Sequence, residues 1–449
     1  MARKNKNLKR SFLAPAIVSL LLFAPHFTAP SMAGGPVSLK ELLGEARGNN
    51  PELKAYGERA EAMEARVSSE GALEDPTFRV ELMELSKDRP LDITPGNASQ
   101  TKYIFNQSIP FPGKLSLKEN IALKEAYAAR SEFRSKEQQV SREVKEAYFD
   151  YAYLAESIRI TEEIKGVLSN MARIAEAKYS TGLASQQDVI KVNVELTSLT
   201  NETITLEAEK DVAAARLKSL LNRDQDSPLG EPVGLTREKV KFDTRELMER
   251  AARKNPEIRA VEFEAEANEH KAELAKRDYY PDFMVGAGPV EKDGRFESFD
   301  VMFQVTIPLW RSKYDSRSRE AASNARSLRS RLAAGKNAKG FEVKGAALRV
   351  EAADRMRVLY ETGLMPQVEL SLESALKNYR AGKVDFLTLL DTERELKKTR
   401  LDYLKIILDY RKRVAALENA VGEDLLEYAS EDIRDSAVAG SGALYGGPR

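Results

Sequence analysis

The chain has no cysteine and only two histidines, His26 and His270. Without cysteine there is no disulfide, no thiolate metal site and no lipid attachment at a cleavage-site Cys. One histidine beyond the N-terminal stretch cannot build the usual soft transition-metal site. No Ser/His/Asp or Cys/His constellation can be assembled around His270. No phosphate-cradling glycine loop is present, so any energy must come from another component. No enzyme activity and no cofactor are expected. Net charge is also lacking: 70 acids balance 70 bases, which gives no sign of a nucleic-acid partner. After the N-terminus, no segment approaches the ~18 uninterrupted apolar residues of a membrane helix. Any membrane passage must then use β-strands, because every backbone polar group in lipid needs a partner.

What is present starts with an export pattern. Arg3, Lys4, Lys6, Lys9 and Arg10 form a basic start, and Phe12 to Phe27 is mainly apolar. Ser31-Met32-Ala33 places small residues where a signal peptidase reads, so 1–33 is expected to be a signal peptide cleaved after Ala33. Pro15, Pro25 and Pro30 and the shortness of the apolar stretch argue against a membrane anchor. Five bases leave with it, so 65 bases remain against 70 acids.

The remainder is written twice, about 200 residues apart. Asn50-Pro51-Glu52-Leu53 answers Asn255-Pro256-Glu257-Ile258, and Ser108-Ile109-Pro110-Phe111 answers Thr306-Ile307-Pro308-Leu309. Tyr179-Ser180-Thr181-Gly182 answers Tyr379-Arg380-Ala381-Gly382, and Glu195-Leu196 answers Glu395-Leu396. Constant order at nearly constant offset indicates a duplicated unit. The expected division is a first repeat over 34–223, a linker over 224–243 punctuated by Pro228, Gly230, Pro232 and Gly234, a second repeat over 244–426, and a flexible tail over 427–449.

Each repeat reads as a helix, two strands and a very long helical hairpin. The first helices are expected over Leu39 to Gly71 and Thr244 to Asp278. Phe299, Val301, Phe303, Val305 and Ile307 alternate with polar or smaller partners, a period of two. Phe78, Val80 and Leu82 do the same, as do Phe283, Val285 and Ala287; Tyr103, Phe105 and Ile109 do so less cleanly. All four segments suit the ~9–11 residues of a transmembrane strand, and Phe111, Tyr279, Tyr280 and Trp310 stand near their ends. A soluble sheet with one face on a core has the same pattern. The loops Ser86 to Ser99 and Glu291 to Glu297 would connect the strands.

From Lys114 to Lys178 there is no proline and one glycine, Gly166. Val140, Val144, Ala147, Tyr151, Leu154 and Ile158 recur at helix-packing steps, with a coiled-coil flavour. Such a helix would reach ~100 Å. It turns at Thr181-Gly182 and returns over Ser185 to Leu221. The second repeat runs from Ser312 to Asn378, turns at Ala381-Gly382 and returns to Val421. Gly335, Gly340, Gly345 and Gly363-Leu364-Met365-Pro366 are expected to weaken this second rod. Met63, Met83, Met171 and Met248 are scattered and read as packing residues.

With these features the sequence resembles the TolC-type outer-membrane efflux family over about Ser38 to Gly422. The resemblance rests on the duplicated order, the Tyr-x-x-Gly tips and the strand-ending Ile-Pro pairs. The corner Pro110-Phe111-Pro112-Gly113-Lys114 is similar to members that serve heavy-metal efflux, the CzcC-like branch. The resemblance implies an α+β membrane protein: long α-helical hairpins forming a barrel, plus a transmembrane β-barrel with four strands per chain, closed as a homotrimer. It implies a passive exit duct of a tripartite system, with outer-membrane lipid around the strands. The partners would be a periplasmic adaptor (membrane fusion) protein and an inner-membrane efflux pump of the RND type. Thr181, Gly182, Leu183, Ala381 and Gly382 would be the adaptor-contacting tips. Asp391, Asp188, Tyr379 and Lys383 would form the periplasmic entrance and gate. In the family the tyrosine at Tyr379 bonds the acid at Asp188 and helps hold the tip closed. One basic latch residue of the family is replaced by Val384, with Lys383 beside it. Without the resemblance, each acid reads as a solvated helix residue. The residues also admit an exported coiled-coil structural or adhesive protein, or a periplasmic adaptor. The four alternating strands and the paired tips favour the duct.

Overall fold

In the computed structural model, residues 35–235 and 239–425 are described. The signal segment expected over 1–33 and the tail over 427–449 lie outside them.

Ser38 opens α1 (Leu39–Asn49) with a reciprocal cap involving Glu41. Asn50 closes it and caps α2 (Pro51–Gly71), accepting from the Glu52 and Leu53 N–H groups. One helix was expected over this stretch; two form. Pro51 has no N–H to bond four residues back, and Asn50 supplies a side-chain cap instead. The second repeat divides identically into α5 (Thr244–Lys254) and α6 (Pro256–Arg277), around Asn255. The side-chain amides of Asn50 and Asn255 also donate to Leu220 O and Ala420 O, each at 2.9 Å. The duplicated Asn-Pro is therefore a clamp. It fastens each short helix pair to the end of the returning hairpin helix.

Helix α3 (Lys114–Ser180) runs 67 residues, about 100 Å at 1.5 Å per residue. It turns into α4 (Gln186–Leu220). Opposite lie α7 (Arg311–Leu359), α8 (Met365–Arg380) and α9 (Phe386–Val421). The rod α7 passes unbroken through Gly335, Gly340 and Gly345, and of the expected weak points only Gly363-Leu364-Met365-Pro366 coincides with an irregularity. A Cβ at Gly335 would meet Ile258 and one at Gly340 would meet Met248, so these glycines face α6 and α5. The one irregularity is a π turn over Tyr360–Leu364. Pro366 follows at once, and its ring cannot sit over the Thr362 carbonyl in a regular helix.

Strands β1 (Thr77–Leu85), β2 (Ala98–Ile109), β3 (Asp282–Lys292) and β4 (Arg295–Thr306) form one antiparallel sheet in that order. Phe78, Phe105, Ala287 and Val301 lie opposite one another in a row across it. Phe78, Phe105 and Val301 are more than half exposed. The other face carries Glu81, Lys102, Val290 and Ser298 in register. There Lys102 meets Asp300 at 2.7 Å. Gly288 admits β2 closely: a Cβ would stand 1.7 Å from the Tyr103 carbonyl oxygen. The expected 291–297 loop is mostly strand. Asp293 and Gly294 alone turn the chain, with φ of 47° and 74°, the left-handed pair of a tight hairpin.

The two repeats are pinned at the sheet–helix corner. Gly113 (φ 89°) begins α3, and buried Lys114 meets Asp282 at 3.0 Å and Asp278 at 3.4 Å. Phe111 stacks on Tyr280 with centroids 4.4 Å apart. The Pro-Phe-Pro-Gly-Lys motif thus builds a corner. The linker lies along the bundle: Val37 N donates to Glu231 O, Tyr148 Oη to Val233 O, and Val240 N to Tyr410 Oη.

Candidate functional site at the hairpin tips

Both hairpins end, far from the sheet, in the same turn. Gly182 and Gly382 hold φ of 75° and 74°. Leu183 N–H donates to Lys178 O at 2.8 Å, and Lys383 N–H to Asn378 O at 2.9 Å. Gly182 and Gly382 N–H groups donate to the carbonyls of Tyr179 and Tyr379. This is the Schellman ending, in which glycine takes the left-handed position. Thr181, Leu183, Ala381 and Lys383 are exposed. Ser185 and Asp385 then cap the returning helices, and bonds from Thr388 hold the Asp385 carboxyl below its usual range.

The two tip tyrosines differ. Tyr179 is 49% exposed, Tyr379 only 4%. Tyr379 packs edge-on against Phe386, and Lys178 Nζ sits 4.4 Å from its ring centroid. Lys178 Nζ also donates to Tyr379 O. Burial, and after it the charge of Asp188, raises the Tyr379 pKa. The hydroxyl has no hydrogen-bond partner among the described residues. The bond to Asp188 implied by the resemblance is not formed among the described residues. Asp188 is the third residue of α4, and its carboxylate accepts from Ser185 N–H at 3.3 Å. The helix start competes for that acid, because an unsatisfied N–H needs an acceptor.

Asp391 stands apart from this group, exposed on α9, 3.6 Å from Arg394. Arg394 reaches across to α4, donating from Nε to Glu195 at 3.1 Å. Lys397 pairs with Glu202 at 2.8 Å. Beside them Glu393 is buried, 1% exposed, with neither carboxylate oxygen hydrogen-bonded. Burial first, then Glu195, push its pKa up to about 7. So the structure gathers Tyr379, Lys178 and Asp188 into one group. It gathers Asp391, Arg394, Glu195 and Glu393 into another. Sequence reasoning missed Lys178, Arg394 and Glu393. The signal for Glu393 was its spacing: it falls on the stripe of Leu389, Leu390 and Leu396, all buried. Between α3 and α8, near the tips, lies a groove of about 740 Å³ lined by Val167, Met171, Ile174 and Leu376, with Arg173 and Arg380 also on its walls. Among the described residues no group of three or more acids or histidines is placed to hold a metal, and no helix is long and apolar enough to cross a membrane.

The family described as outer membrane efflux protein matches residues 42–223 and 247–423. The chain is similar to the cobalt-zinc-cadmium resistance protein CzcC of Cupriavidus metallidurans, 21% identical over 434 residues, covering 92% of this chain and 100% of that one. Its fold is similar to that of the channel CusC, with a TM-score of 0.72, 18% identity, and 86% and 92% of the two chains covered. It is equally similar to the outer membrane protein VceC of Vibrio cholerae, with a TM-score of 0.72, 18% identity, and 86% and 96% covered.

Proposed function

The chain belongs to the outer membrane efflux protein family, and from that premise we propose that it is the passive exit duct of a tripartite efflux system. As a family member it is an outer-membrane channel protein and not an enzyme. The observation that carries the finer reading is the sheet. It has two unpaired edges, β1 and β4, and one exposed apolar face. In lipid, free edges are untenable. Three copies joined edge to edge close them into a barrel, and the hairpins continue the passage. This supports a homotrimer rather than a lone rod.

The tips are the adaptor contact. Leu183, 77% exposed, offers an apolar anchor, and the groove beside α8 offers a second seat. Arg173, Lys178 and Arg380 around that groove suit acidic residues on the adaptor. Asp391 and Asp188, repeated threefold, focus negative potential in a narrow entrance and favour cations. Tyr379 and Lys383 complete the gate. The likeness to CzcC suggests heavy-metal cations as cargo, delivered by an inner-membrane pump of the RND type. The duct need not bind the ion tightly, since no donor cluster stands among the described residues.

The test is fractionation with cross-linking, followed by conductance in planar bilayers. The expected result is an outer-membrane trimer forming cation-preferring channels, with the preference reduced by Asp391→Asn. A soluble monomer refutes the duct. Unchanged ion preference in Asp391→Asn removes the entrance role.

A further inference from the structure

Helix α9 carries one buried stripe toward the other helices: Phe386, Leu389, Leu390, Glu393, Leu396 and Thr399. Glu393 is the acid in that stripe. It is 1% exposed, and neither oxygen finds a donor. An ionised carboxylate in such a place lacks both water and partners, which is costly. Its position explains why no partner reaches it. From α4 it faces Glu195, a second acid, itself only 9% exposed. The two cations alongside belong to its own helix and are engaged elsewhere: Arg394 with Glu195, and Lys397 with Glu202. Further along α9, the acids of α3 and α8 are held by other partners. Glu162 takes Lys165 and Thr203, while Glu163 and Glu369 take Arg400.

The two hairpins meet behind their tips where α9 packs chiefly on α3 and more lightly along α4. Along the α4–α9 seam, Val192 and Leu199 of α4 share one buried apolar cluster with Leu389, Leu390 and Leu396 of α9, and Arg394 to Glu195 and Lys397 to Glu202 bridge its rim. Beside the entrance, the core shared by the two hairpins therefore holds one unpartnered acid, and its cohesion depends on whether that acid is charged.

Resting on the channel reading, we propose that Glu393 is a proton-operated latch on the seam between the two hairpins. Protonated, it is a neutral group among leucines and the seam is shut. Ionised, it opposes Glu195 inside the core, and the cations that offset it, Lys397 and Arg394, are already paired with Glu202 and Glu195, so the seam loosens next to the tips. The entrance then opens as the compartment around it becomes less acid. The midpoint follows from burial and from Glu195, which place the carboxyl near 7. The ligand sensed is the proton, because no third acid or histidine completes a metal site there.

The experiment uses the full-length trimer in detergent and in bilayers. Hydrogen exchange of the α4 and α9 segments beside the seam is followed from about pH 5.5 to 8.5, corrected for the intrinsic pH dependence of exchange. In wild type, opening of these segments should rise up to about 10-fold per pH unit until Glu393 is ionised. Channel conductance should rise in parallel. Glu393→Gln, nearly isosteric and always neutral, should flatten both profiles at the closed level. Glu195→Gln should keep a pH response and move its midpoint to lower pH. A flat wild-type profile, or a Glu393→Gln profile equal to wild type, overturns the latch. Should Glu393→Gln fail to assemble, an unmoved midpoint in Glu195→Gln also overturns it. Failure of the channel reading looks different: no trimer and no conductance at any pH.

Discussion

Replacing Asn255 tests how the repeats are held. Its side chain makes two bonds: Oδ1 accepts from Glu257 N–H at 3.0 Å, and Nδ2 donates to Ala420 O at 2.9 Å. The residue is 1% exposed, so water cannot replace either partner. Asn255→Ala removes a helix cap, worth about 1 kcal/mol. It also strands a buried carbonyl, costing about 1–3 kcal/mol more. The expected loss is about 2–4 kcal/mol, read as the midpoint of urea-induced loss of helical circular dichroism. Hydrogen exchange should place the new opening at the α5–α6 junction. The substitution Asn255→Asp separates the two contributions. Aspartate caps a helix as well as asparagine does, but it cannot donate to Ala420 O and sets a buried charge against it. Asn255→Asp should therefore be no better than Asn255→Ala. If it proves within about 0.5 kcal/mol of wild type, the clamp argument is wrong and the residue is only a cap.

Other outcomes follow from the same geometry. Glu393→Gln should match wild type in stability at about pH 5 and exceed it by about 3 kcal/mol at pH 8 or above. The sign follows from the raised folded-state pKa, near 7. The native state holds its proton longer than the unfolded chain, so stability falls as pH rises from the ordinary carboxyl value to about 7. Thermal melts across that range check it, and a wild type that gains stability relative to the variant contradicts the burial argument. Gly382→Ala meets open space but a φ of 74°, so it should cost about 1 kcal/mol and fray 379–386 in hydrogen exchange without altering the rest. Lys114→Met should lower the protein's unfolding temperature by unpairing Asp278 and Asp282, and adding Asp282→Asn should recover part of the loss. An additive pair would disprove the direct link between the repeats.

Much of the architecture was readable because it is local. Sixty-seven residues without proline make one helix. Tyr-x-x-Gly makes the same turn twice because each tip needs a left-handed residue. Alternation marked the strands, and structure moved their ends by only a few residues. Readings failed where a local rule had two outcomes. Glycine lowers helix propensity locally, but at Gly335 and Gly340 α7 packs against α6 and α5 and the helix continues. Asn-Pro was visible as a repeat but not as a break, since the carbonyls it clamps lie 165 and 170 residues away.

By itself, then, the sequence determined a duplicated set of strands and rods, with its turns and caps, because those depend on periodicity and on backbone preferences within a few residues. It also excluded thiol and multi-histidine chemistry by simple absence. Tertiary structure alone decided which acids are buried and which face solvent. Asp391 and Glu395 face solvent, while Glu393 between them is buried. Tyr179 is half exposed and its counterpart Tyr379 is covered. Duplicated residues acquire different surroundings because α9 is packed among α3, α7 and α8 whereas α4 leans chiefly on α3. Burial, which sets the charge state of a carboxylate and the freedom of a ring, is a property of that packing and not of the local chain.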